Sequence, residues 1–519
     1  MKKIILSITA ALFAMALNAQ ISVWDGTAEP WSQGSGTQED PYLIESAQNL
    51  AYLSEAVNKY YSNGEYDTPA FADTCFLMTV DIDLRGDYGF EWHPIGNEAS
   101  AIGHKHFAGN FDGGGHVISK IKFYNDLISD YYGLFGCAKN GSIVNVKIDN
   151  DCMLYISTLF EFRGHIGSVL GYGENMIVEN CENNANIIIY ADYSKPFGAT
   201  GGVCGTLLNS SINNCRNRGS INAESDSFSN SLLYGGVVGL LGGSNVTLCS
   251  NQGTVVASVN TEQGAFVGGI AGLSTGDCQM SSCYNTADLS LTAGIMVDTS
   301  CVGGLVGIVY DTLFVSDSYC AGSITCDGVI GGIVGIGINN TFVGNSYYIN
   351  TILSANNFGT PKSENEMQSQ DFVTLLNNGG NIYAMDDLHV NNGYPIFGMY
   401  YAVNEIVTDE LVSVYPNPAK DLVHIKFSEN SDCQSIEIYS IDGRLVKTCH
   451  GASLQNNGIS IANLNSGVYV MKVRMSDGSE FTERIVTLAE ILDLDDVLAA
   501  RAVFKYLVVC HLCCPSRKI

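Results

Sequence analysis

The sequence predicts an all-β protein: a right-handed parallel β-helix solenoid of about seven coils with a repeat of about 34 residues, followed by a small β-sandwich. Three observations support this prediction. The 56 Gly against 10 Pro, together with 27 Tyr, favour short strands and tight turns over helices. A five-residue glycine motif recurs along the middle of the chain. Alternating apolar residues typical of a sandwich begin after residue 411.

Composition and charge narrow the range of partners. The 519 residues include 25 Lys and Arg against 53 Asp and Glu, which gives a formal net charge of −28. This balance argues against nucleic acid, because phosphate backbones are bound by clustered Lys and Arg. Hydrophobic residues make up 46% and charged residues 15% of the chain, so we expect folded domains and not an acidic disordered chain.

The first element is a predicted signal peptide at residues 1–19. Lys2 and Lys3 precede an apolar run from Ile4 to Leu17, and the small residue Ala19 closes the segment. No later stretch offers about 20 consecutive apolar residues, so we expect no integral membrane span.

Residues 126–350 contain the repeats. The motif Gly-Gly-apolar-x-Gly has five clear copies, and degenerate copies begin at Tyr132 and Gly167. The clear copies begin at Gly201, Gly235, Gly268, Gly303 and Gly331. Glycine at these turns is expected to permit positive φ and to let neighbouring coils approach closely.

A second column of residues keeps the same period. Its cysteines are Cys181, Cys215, Cys249 and Cys283, and Asn183, Asn217, Asn251 and Asn285 each follow two residues later. Ser318 and Ser346 replace Cys in the last coils, which favours a buried, small apolar filler over the alternatives of a metal ladder or axial disulfides. The Asn side chains suit left-handed turns and a hydrogen-bonded ladder along the axis.

A repeat of this kind cannot bury its own apolar face. It must stack on its neighbours, and we expect three short strands per coil of a parallel β-helix. Equivalent residues then lie about 4.8 Å apart along the axis.

These units resemble the GLUG repeats of large bacterial surface and exported proteins. The resemblance runs from about Trp24 to Phe397 and includes the motifs EWHPIG at 91–96 and FDGGGH at 111–116. It implies that residues 20–125 form an amino-terminal cap and the first coils, with a helix at 46–58, and that residues 351–400 form a carboxy-terminal cap segment. For activity it implies little, because such repeats accompany adhesins, peptidases and proteins with no assigned role.

The last part of the chain has a different pattern. After a linker at 401–411, residues 412–488 alternate like a small β-sandwich with a turn at Asp442 and Gly443. The run Tyr415, Pro416, Asn417 and Pro418, that turn and the later GVYV strand are similar to the type IX secretion sorting domain of Bacteroidota. The resemblance implies recognition by the type IX secretion machinery and export through the periplasm to the cell surface or the medium. An atypical tail, 489–519, follows, and its Cys510, Cys513 and Cys514 are a weak signal for metal.

Catalytic constellations are sparse. A polysaccharide lyase or hydrolase would need two or more carboxylates on adjacent coils, and no acidic column crosses three coils. The HExxH motif is absent from the sequence. We therefore expect no enzyme, although a glycan-active alternative would use Glu174, Glu179 and Glu182.

Metal-ligating residue types cluster in the first 125 residues. The cluster of His93, His104, His106 and His116 includes residues in motifs that recur as scaffold in the resemblance. Asp81 and Asp83 leave calcium open as an alternative, although alternating carboxylates on a strand usually face solvent. We expect no cofactor.

Together these features predict an exported, surface-displayed or secreted rod with an adhesin-like or ligand-binding role. Host glycoproteins, matrix proteins and polysaccharides are the expected ligand classes. Contacts are expected from variable loops at 222–231, 258–265 and 290–300. The alternatives are a carbohydrate-active or peptidase accessory protein and a structural surface spacer.

Overall fold

The computed structural model describes residues 21–398 with short gaps, and most of the strands between 412 and 487. The gaps in the first range are 60–67, 97, 100–102, 124–129, 159–163, 193–197, 227–230, 261–262 and 295–296. The predicted signal peptide, the run 416–418, the turn at 442–443 and the tail at 489–519 lie outside the described residues. The chain divides into two compact units after Met399.

A central coil contains five strand segments and not the three that we predicted. They are Gly198–Gly201, Cys204–Leu208, Ser211–Asn213, Arg216–Asn217 and Ile221–Asp226. Asn209 and Asn214, with φ of 48° and 49°, interrupt the chain between neighbouring segments. Because Asn tolerates this left-handed conformation, each Asn makes a corner, and these corners divide the coil into more than three segments.

Equivalent segments of successive coils pair in parallel and in register, and we number the resulting columns one to five in coil order. Column one comprises Tyr131–Tyr132, His165–Ile166, Gly198–Gly201, Leu232–Gly235, Ala265–Gly268, Cys301–Gly303 and Val329–Gly331. Column two comprises Thr68–Ala70, Gly103–Phe107, Phe135–Lys139, Leu170–Glu174, Cys204–Leu208, Val238–Gly242, Ala271–Thr275, Val306–Val309 and Val334–Gly337. Column three comprises Tyr42–Ile44, Cys75–Met78, Asn110–Asp112, Ser142–Val144, Ile177–Glu179, Ser211–Asn213, Asn245–Thr247 and Cys278–Ser281.

Column four runs beside column three. It comprises Ser22–Val23, Ile82–Asp83, Val117–Ser119, Lys147–Ile148, Glu182–Asn183, Arg216–Asn217, Ser250–Asn251, Tyr284–Asn285 and Thr360–Lys362. The longer strands Leu313–Cys320 and Thr341–Ile349 continue both columns. Column five comprises Leu154–Thr158, Ile187–Asp192, Ile221–Asp226, Val255–Asn260, Leu289–Ala293 and Ile324–Cys326. The architecture is therefore a parallel β-solenoid of about seven coils, as predicted.

The motif glycines let the backbones of columns one and two approach closely, as we expected. The expectation that these glycines adopt positive φ was wrong. None of Gly201, Gly235, Gly268, Gly303 and Gly331 is among the described residues with positive φ. A Cβ added at Gly235 would lie 1.9 Å from the Val238 carbonyl oxygen, and one at Gly239 would lie 2.5 Å from the Thr200 nitrogen. Glycine is needed because column two packs directly on column one, where any side chain would collide with backbone.

This close packing encloses a hydrophobic cluster of its own. Its buried members are Ala199, Leu233, Phe266 and Cys301 from column one and Leu240, Leu273 and Ile308 from column two. The inward residues of the other columns, such as Ile212 and Ile221, are also fully buried. Inward positions of the coils are therefore committed to packing, and variation in chemistry is left to the outer faces.

Cap segments flank the coils. Helix α1, Ala47–Asn58, begins after Ser46, whose side chain accepts a hydrogen bond from the Asn49 N–H at 3.1 Å. At the other end are α2 (Glu364–Met367), α3 (Gln370–Asn377) and the antiparallel pair Tyr383–Ala384 and Ile396–Phe397. This segment packs on the outer face of column four, where the Tyr284 and Phe397 rings are 4.9 Å apart.

The second unit contains two antiparallel sheets. One comprises Val412–Tyr415, Leu422–Phe427 and Gly458–Ser460. The other comprises Leu445–His450, Cys433–Ser440, Gly467–Met475 and Glu480–Thr487. Val423, Ile438 and Met471 are fully buried. Both units are therefore all-β in class, as the sequence predicts.

The left-handed corner before the Cys column generates a stability prediction. Leu248 adopts φ of 53° at the position where the preceding coils have Asn180 and Asn214. Because a left-handed conformation costs a residue with an ordinary side chain about 1–2 kcal/mol, Leu248→Asn should raise the free energy of unfolding by about 1 kcal/mol. Urea denaturation of the purified chain measures this change. The matched control, Asn214→Leu, should lower stability, and equal stability for all three proteins would contradict the explanation.

Candidate binding surfaces

The Asn column forms a hydrogen-bonded ladder inside the coils. The Asn183 side-chain amide donates to Asn217 Oδ1 at 2.7 Å, Asn217 donates to Asn251 at 2.8 Å, and Asn251 donates to Asn285 at 2.8 Å. Each amide also donates at 2.9 Å to the carbonyl two residues ahead. All four side chains are fully buried, so the ladder supports the fold and presents nothing to a ligand.

The Cys column is buried, but it is more than apolar filler. None of the described cysteines forms a disulfide, and the Cys181 N–H donates to Cys215 Sγ at 3.4 Å. The Cys283 N–H likewise donates to Ser318 Oγ at 2.9 Å. Sulfur and hydroxyl oxygen accept the same backbone hydrogen bond from the preceding coil, which explains why Ser can replace Cys in this column.

A second ladder of this kind escaped our sequence reasoning. The Met176 N–H donates to Ser210 Oγ at 2.9 Å, the Ser210 N–H to Ser244 Oγ at 3.0 Å, and the Ser244 N–H to Cys278 Sγ at 3.4 Å. The sequence carries a signal for this ladder, because the four residues are spaced 34 apart and three of them directly follow Asn175, Asn209 and Gly243. In the structure these three preceding residues have positive φ.

The three glutamates of the enzyme alternative lie on three different columns. Glu174 is 3.7 Å from Lys139 Nζ, and Glu179 accepts a hydrogen bond from the Asn213 amide at 3.0 Å. Glu182 pairs with Arg218. Each carboxylate contacts a different side chain in a neighbouring coil. This arrangement is expected of residues that stabilise the stacking of coils.

The Asp81 and Asp83 carboxylates also bind protein donors. Asp81 Oδ1 lies 3.0 Å from His116 Nδ1 and accepts the Val117 N–H at 3.0 Å. Asp83 Oδ2 accepts a hydrogen bond from Lys120 Nζ at 2.8 Å, and this hydrogen bond raises the pKa of Lys120. These donors take up oxygens that the calcium alternative would use. Across the described ranges, no group of three or more His, Cys, Asp and Glu could hold a metal ion.

Of the other histidines in the predicted cluster, His93 and His106 do not join His116 in a group that could hold a metal within the described residues. His93 is exposed on the rim of a cleft in the amino-terminal cap, and His106 is buried in column two. The side chain of His104 lies outside the described residues.

The predicted contact loops are partly strand. Ile221–Asp226, Val255–Asn260 and Leu289–Ala293 belong to column five, and they include residues 222–226, 258–260 and 290–293 of the predicted loops. In Val255–Asn260 the residues alternate between buried and exposed, which is the period of a strand whose inner face packs on the core. The remaining loop residues are fewer than we expected.

The outer face of column three is a broad surface with little charge. One row of outward residues is Asn110, Ser142, Ile177, Ser211, Asn245, Gln279, Phe314 and Phe342. The neighbouring row is Asp112, Val144, Glu179, Asn213, Thr247, Ser281, Ser316 and Gly344. Phe314 and Phe342 stack with ring centroids 4.9 Å apart and an interplanar angle of 11°, and each is about half exposed.

A cleft of about 360 Å³ lies in the amino-terminal cap. Its lining residues are Trp24, Ala51, Ser54, Glu55, Asn58, Trp92 and His93. Our sequence reasoning did not find it, because these residues come from three separate segments that share no motif.

Comparison with known proteins identifies the carboxy-terminal unit. Residues 413–487 match the model of the secretion system C-terminal sorting domain. A protein of Evansella cellulosilytica, named as a Gly-rich membrane protein, is 32% identical over 134 residues, which is 25% of this chain and 13% of that protein's length. No solved structure matches the chain. Within the part of the chain that the structure describes, no helix is long and apolar enough to cross a membrane.

The Cys ladder generates a substitution prediction. Cys215→Ser should change the free energy of unfolding by less than about 1 kcal/mol, because the hydroxyl still accepts the Cys181 N–H. Cys215→Val leaves that buried N–H without an acceptor and should cost about 1–3 kcal/mol. Urea denaturation compares the two variants. Equal stability of the Ser and Val variants would show that the sulfur acts as filler alone.

Burial of ionisable groups generates a pH prediction. Burial raises the pKa of the Cys215 and Cys283 thiols, and of the Tyr319 and Tyr383 hydroxyls, well above their usual values. Their contribution to stability is present in full below the unfolded-state pKa, which is about 8.5 for Cys, and is lost as the pH rises, because only the unfolded chain then releases these protons.

We therefore expect the free energy of unfolding to fall between pH 8 and pH 10.5 in urea titrations. The double variant Cys215→Ser and Cys283→Ser removes two of these groups and should lose less stability over this range than the original chain. An identical pH dependence of the two proteins would contradict the role of the thiols.

Proposed function

We infer that this β-solenoid protein acts at the cell surface or in the extracellular space, because it carries a type IX secretion sorting domain that directs export there. We propose that the exported solenoid is an adhesin-like rod that binds a neutral polysaccharide along the outer face of column three. The supporting observation is this face itself. Amide and hydroxyl side chains occupy both outward rows in three successive coils, from Ser211 to Gln279 and from Asn213 to Ser281, and the first row then ends at the Phe314 and Phe342 pair.

The chemistry of this face suits sugar hydroxyls. Amide and hydroxyl groups both donate and accept hydrogen bonds, as sugar hydroxyls do. Aromatic rings offer an electron-rich face to the weakly positive C–H groups of a sugar ring. Successive coils repeat this chemistry at intervals of about 4.8 Å, so an extended chain can lie along the axis.

Hydrogen bonds between coils orient the polar groups before any ligand arrives. Asn213 donates to Glu179 at 3.0 Å, and the Thr247 hydroxyl donates to Asn213 Oδ1 at 2.8 Å. Farther along the face, the Ser142 hydroxyl donates to Asn110 Oδ1 at 2.9 Å. Groups that are already fixed lose less conformational entropy on binding, which favours affinity.

Charge favours a neutral ligand. The two outward rows of column three contain Asp112 and Glu179 but no Lys or Arg. With a net charge of −28, the protein repels sulfated or other polyanionic chains. Host glycoproteins and matrix polysaccharides with uncharged chains remain suitable partners. The proposal is a binding role without catalysis, so a bound polysaccharide should keep its chain length.

Removing the exposed ring pair tests the proposal. The double variant Phe314→Ala and Phe342→Ala should bind an immobilised neutral polysaccharide about ten-fold more weakly than the original chain, because two ring contacts of about 0.5–1.5 kcal/mol each are lost. A polysaccharide array followed by surface plasmon resonance measures this effect.

Column five provides a matched control. Tyr155 and Tyr190 form another aromatic pair, with centroids 5.8 Å apart and exposed fractions of 46% and 42%. Tyr155→Ala with Tyr190→Ala should leave binding unchanged. The proposal fails if no neutral polysaccharide on the array binds, or if both double variants lose the same affinity.

A further inference from the structure

The cleft in the amino-terminal cap has fixed walls. Helix α1 is fastened to the segment 91–96, because the Ser54 hydroxyl donates to the His93 carbonyl at 2.7 Å and the Asn58 amide donates to the Pro94 carbonyl at 2.8 Å. These bonds hold the polar side of the cleft in place. A site that is already formed loses little free energy to ordering when a ligand binds.

The aromatic side of the cleft is also held in place. The Trp24 and Trp92 rings meet edge to face at 74°, with centroids 6.1 Å apart. The Trp24 indole N–H donates to the Thr27 carbonyl at 2.8 Å, and the Trp92 indole N–H donates to the Leu134 carbonyl at 3.1 Å. Both indole N–H groups are already bonded, and Trp92 is only 1% exposed. The ring surface that the cleft offers is therefore carbon surface of the half-buried Trp24, with Trp92 packed behind it.

A free carboxylate completes the lining. Glu55 is exposed, and its carboxylate makes no hydrogen bond or ion pair within the described part of the chain. The exposed imidazole of His93 adds a group that can both donate and accept, whereas the Asn58 amide nitrogen already donates to Ser54 Oγ and the Pro94 carbonyl. The lining therefore combines an aromatic wall with donors and acceptors.

We propose that this cleft binds a single neutral pyranose unit of a saccharide, with one sugar face against the Trp24 indole and hydroxyls donating to Glu55. The volume of about 360 Å³ lies at the lower end of the range for ligand pockets, about 300–1,000 Å³, and suits a small ligand. The site lies in the amino-terminal cap and does not depend on the proposed role of column three.

The lining favours a sugar over the two charged alternatives. An anionic ligand would meet the Glu55 carboxylate in a protein that already carries −28. A quaternary ammonium ion could use the Trp24 ring and the carboxylate, but it offers no acceptor for a donating imidazole. A pyranose uses all three kinds of group, because each hydroxyl both donates and accepts.

Tryptophan fluorescence tests the proposal on the full chain. The protein has three Trp, and two of them line the cleft, while Trp31 packs against Tyr42 and Phe76 elsewhere in the cap. Titrations with glucose, galactose, mannose, N-acetylglucosamine and N-acetylgalactosamine should give a saturable change for at least one sugar. Choline and N-acetylneuraminic acid serve as the cationic and anionic probes.

Variants separate a binding role from a structural one. Trp24→Ala should abolish the response, and Glu55→Gln should weaken binding of the same sugar about ten-fold, because a hydrogen bond to a charged acceptor becomes a neutral one. Glu29→Gln changes an exposed carboxylate outside the cleft and should leave affinity unchanged. If Trp24→Ala fails to fold, Glu55→Gln decides, since its side chain is exposed.

Three results would overturn the proposal: no saturable response to any neutral sugar, saturation by choline but not by the sugars, or equal affinity of the Glu55→Gln and Glu29→Gln variants for the sugar that binds. The Phe314→Ala and Phe342→Ala variant should keep the response. Its polysaccharide binding and the cleft titration therefore succeed or fail separately.

Discussion

The register between successive coils is the constraint on which the rest of the solenoid depends. Asn217 can satisfy its buried amide only if Asn183 lies one coil before it and Asn251 one coil after it. A slip of one residue would turn these amides towards the opposite face of the sheet and leave them without partners, at a cost of about 1–3 kcal/mol for each buried polar group. The Cys and Ser ladders impose the same condition at the corners. Residues recur with a fixed period in the sequence because they form hydrogen bonds between successive coils.

The glycine motif enforces a second constraint, which decides where binding can occur. The backbones of columns one and two touch at the motif glycines. The neighbouring side chains of the two columns form a hydrophobic cluster of their own, in addition to the inward packing of the other columns. Side chains at these positions are committed to packing. The exposed positions of columns three and five do not take part in this packing, so they can carry the amides, hydroxyls and aromatic rings that a ligand could contact.

The sequence predicts the features that have a local or periodic signal. Spacing reveals the coils, Ser46 marks the start of α1, and alternation reveals the strands of the sorting domain. The role of Gly235 is different, because it is set by contact with Val238 and with the next coil and not by its own φ. The strand Ile221–Asp226 lies mostly within the predicted loop at 222–231, because residues 222–226 include too few apolar side chains to indicate a strand. The cleft joins Trp24, Glu55 and Trp92, whose proximity depends on how the cap folds.

The two proposed sites should differ in how they retain a ligand. A flat face offers each sugar unit only a few hydrogen bonds, but it repeats from coil to coil, and linked weak contacts raise the effective concentration of the next unit. The cleft encloses one unit and gains affinity from a preorganised lining instead. Since neither site presents a Lys or Arg side chain, long-range attraction contributes little to capture. Retention on the column-three face should therefore grow with the length of the polysaccharide, whereas occupancy of the cleft should not.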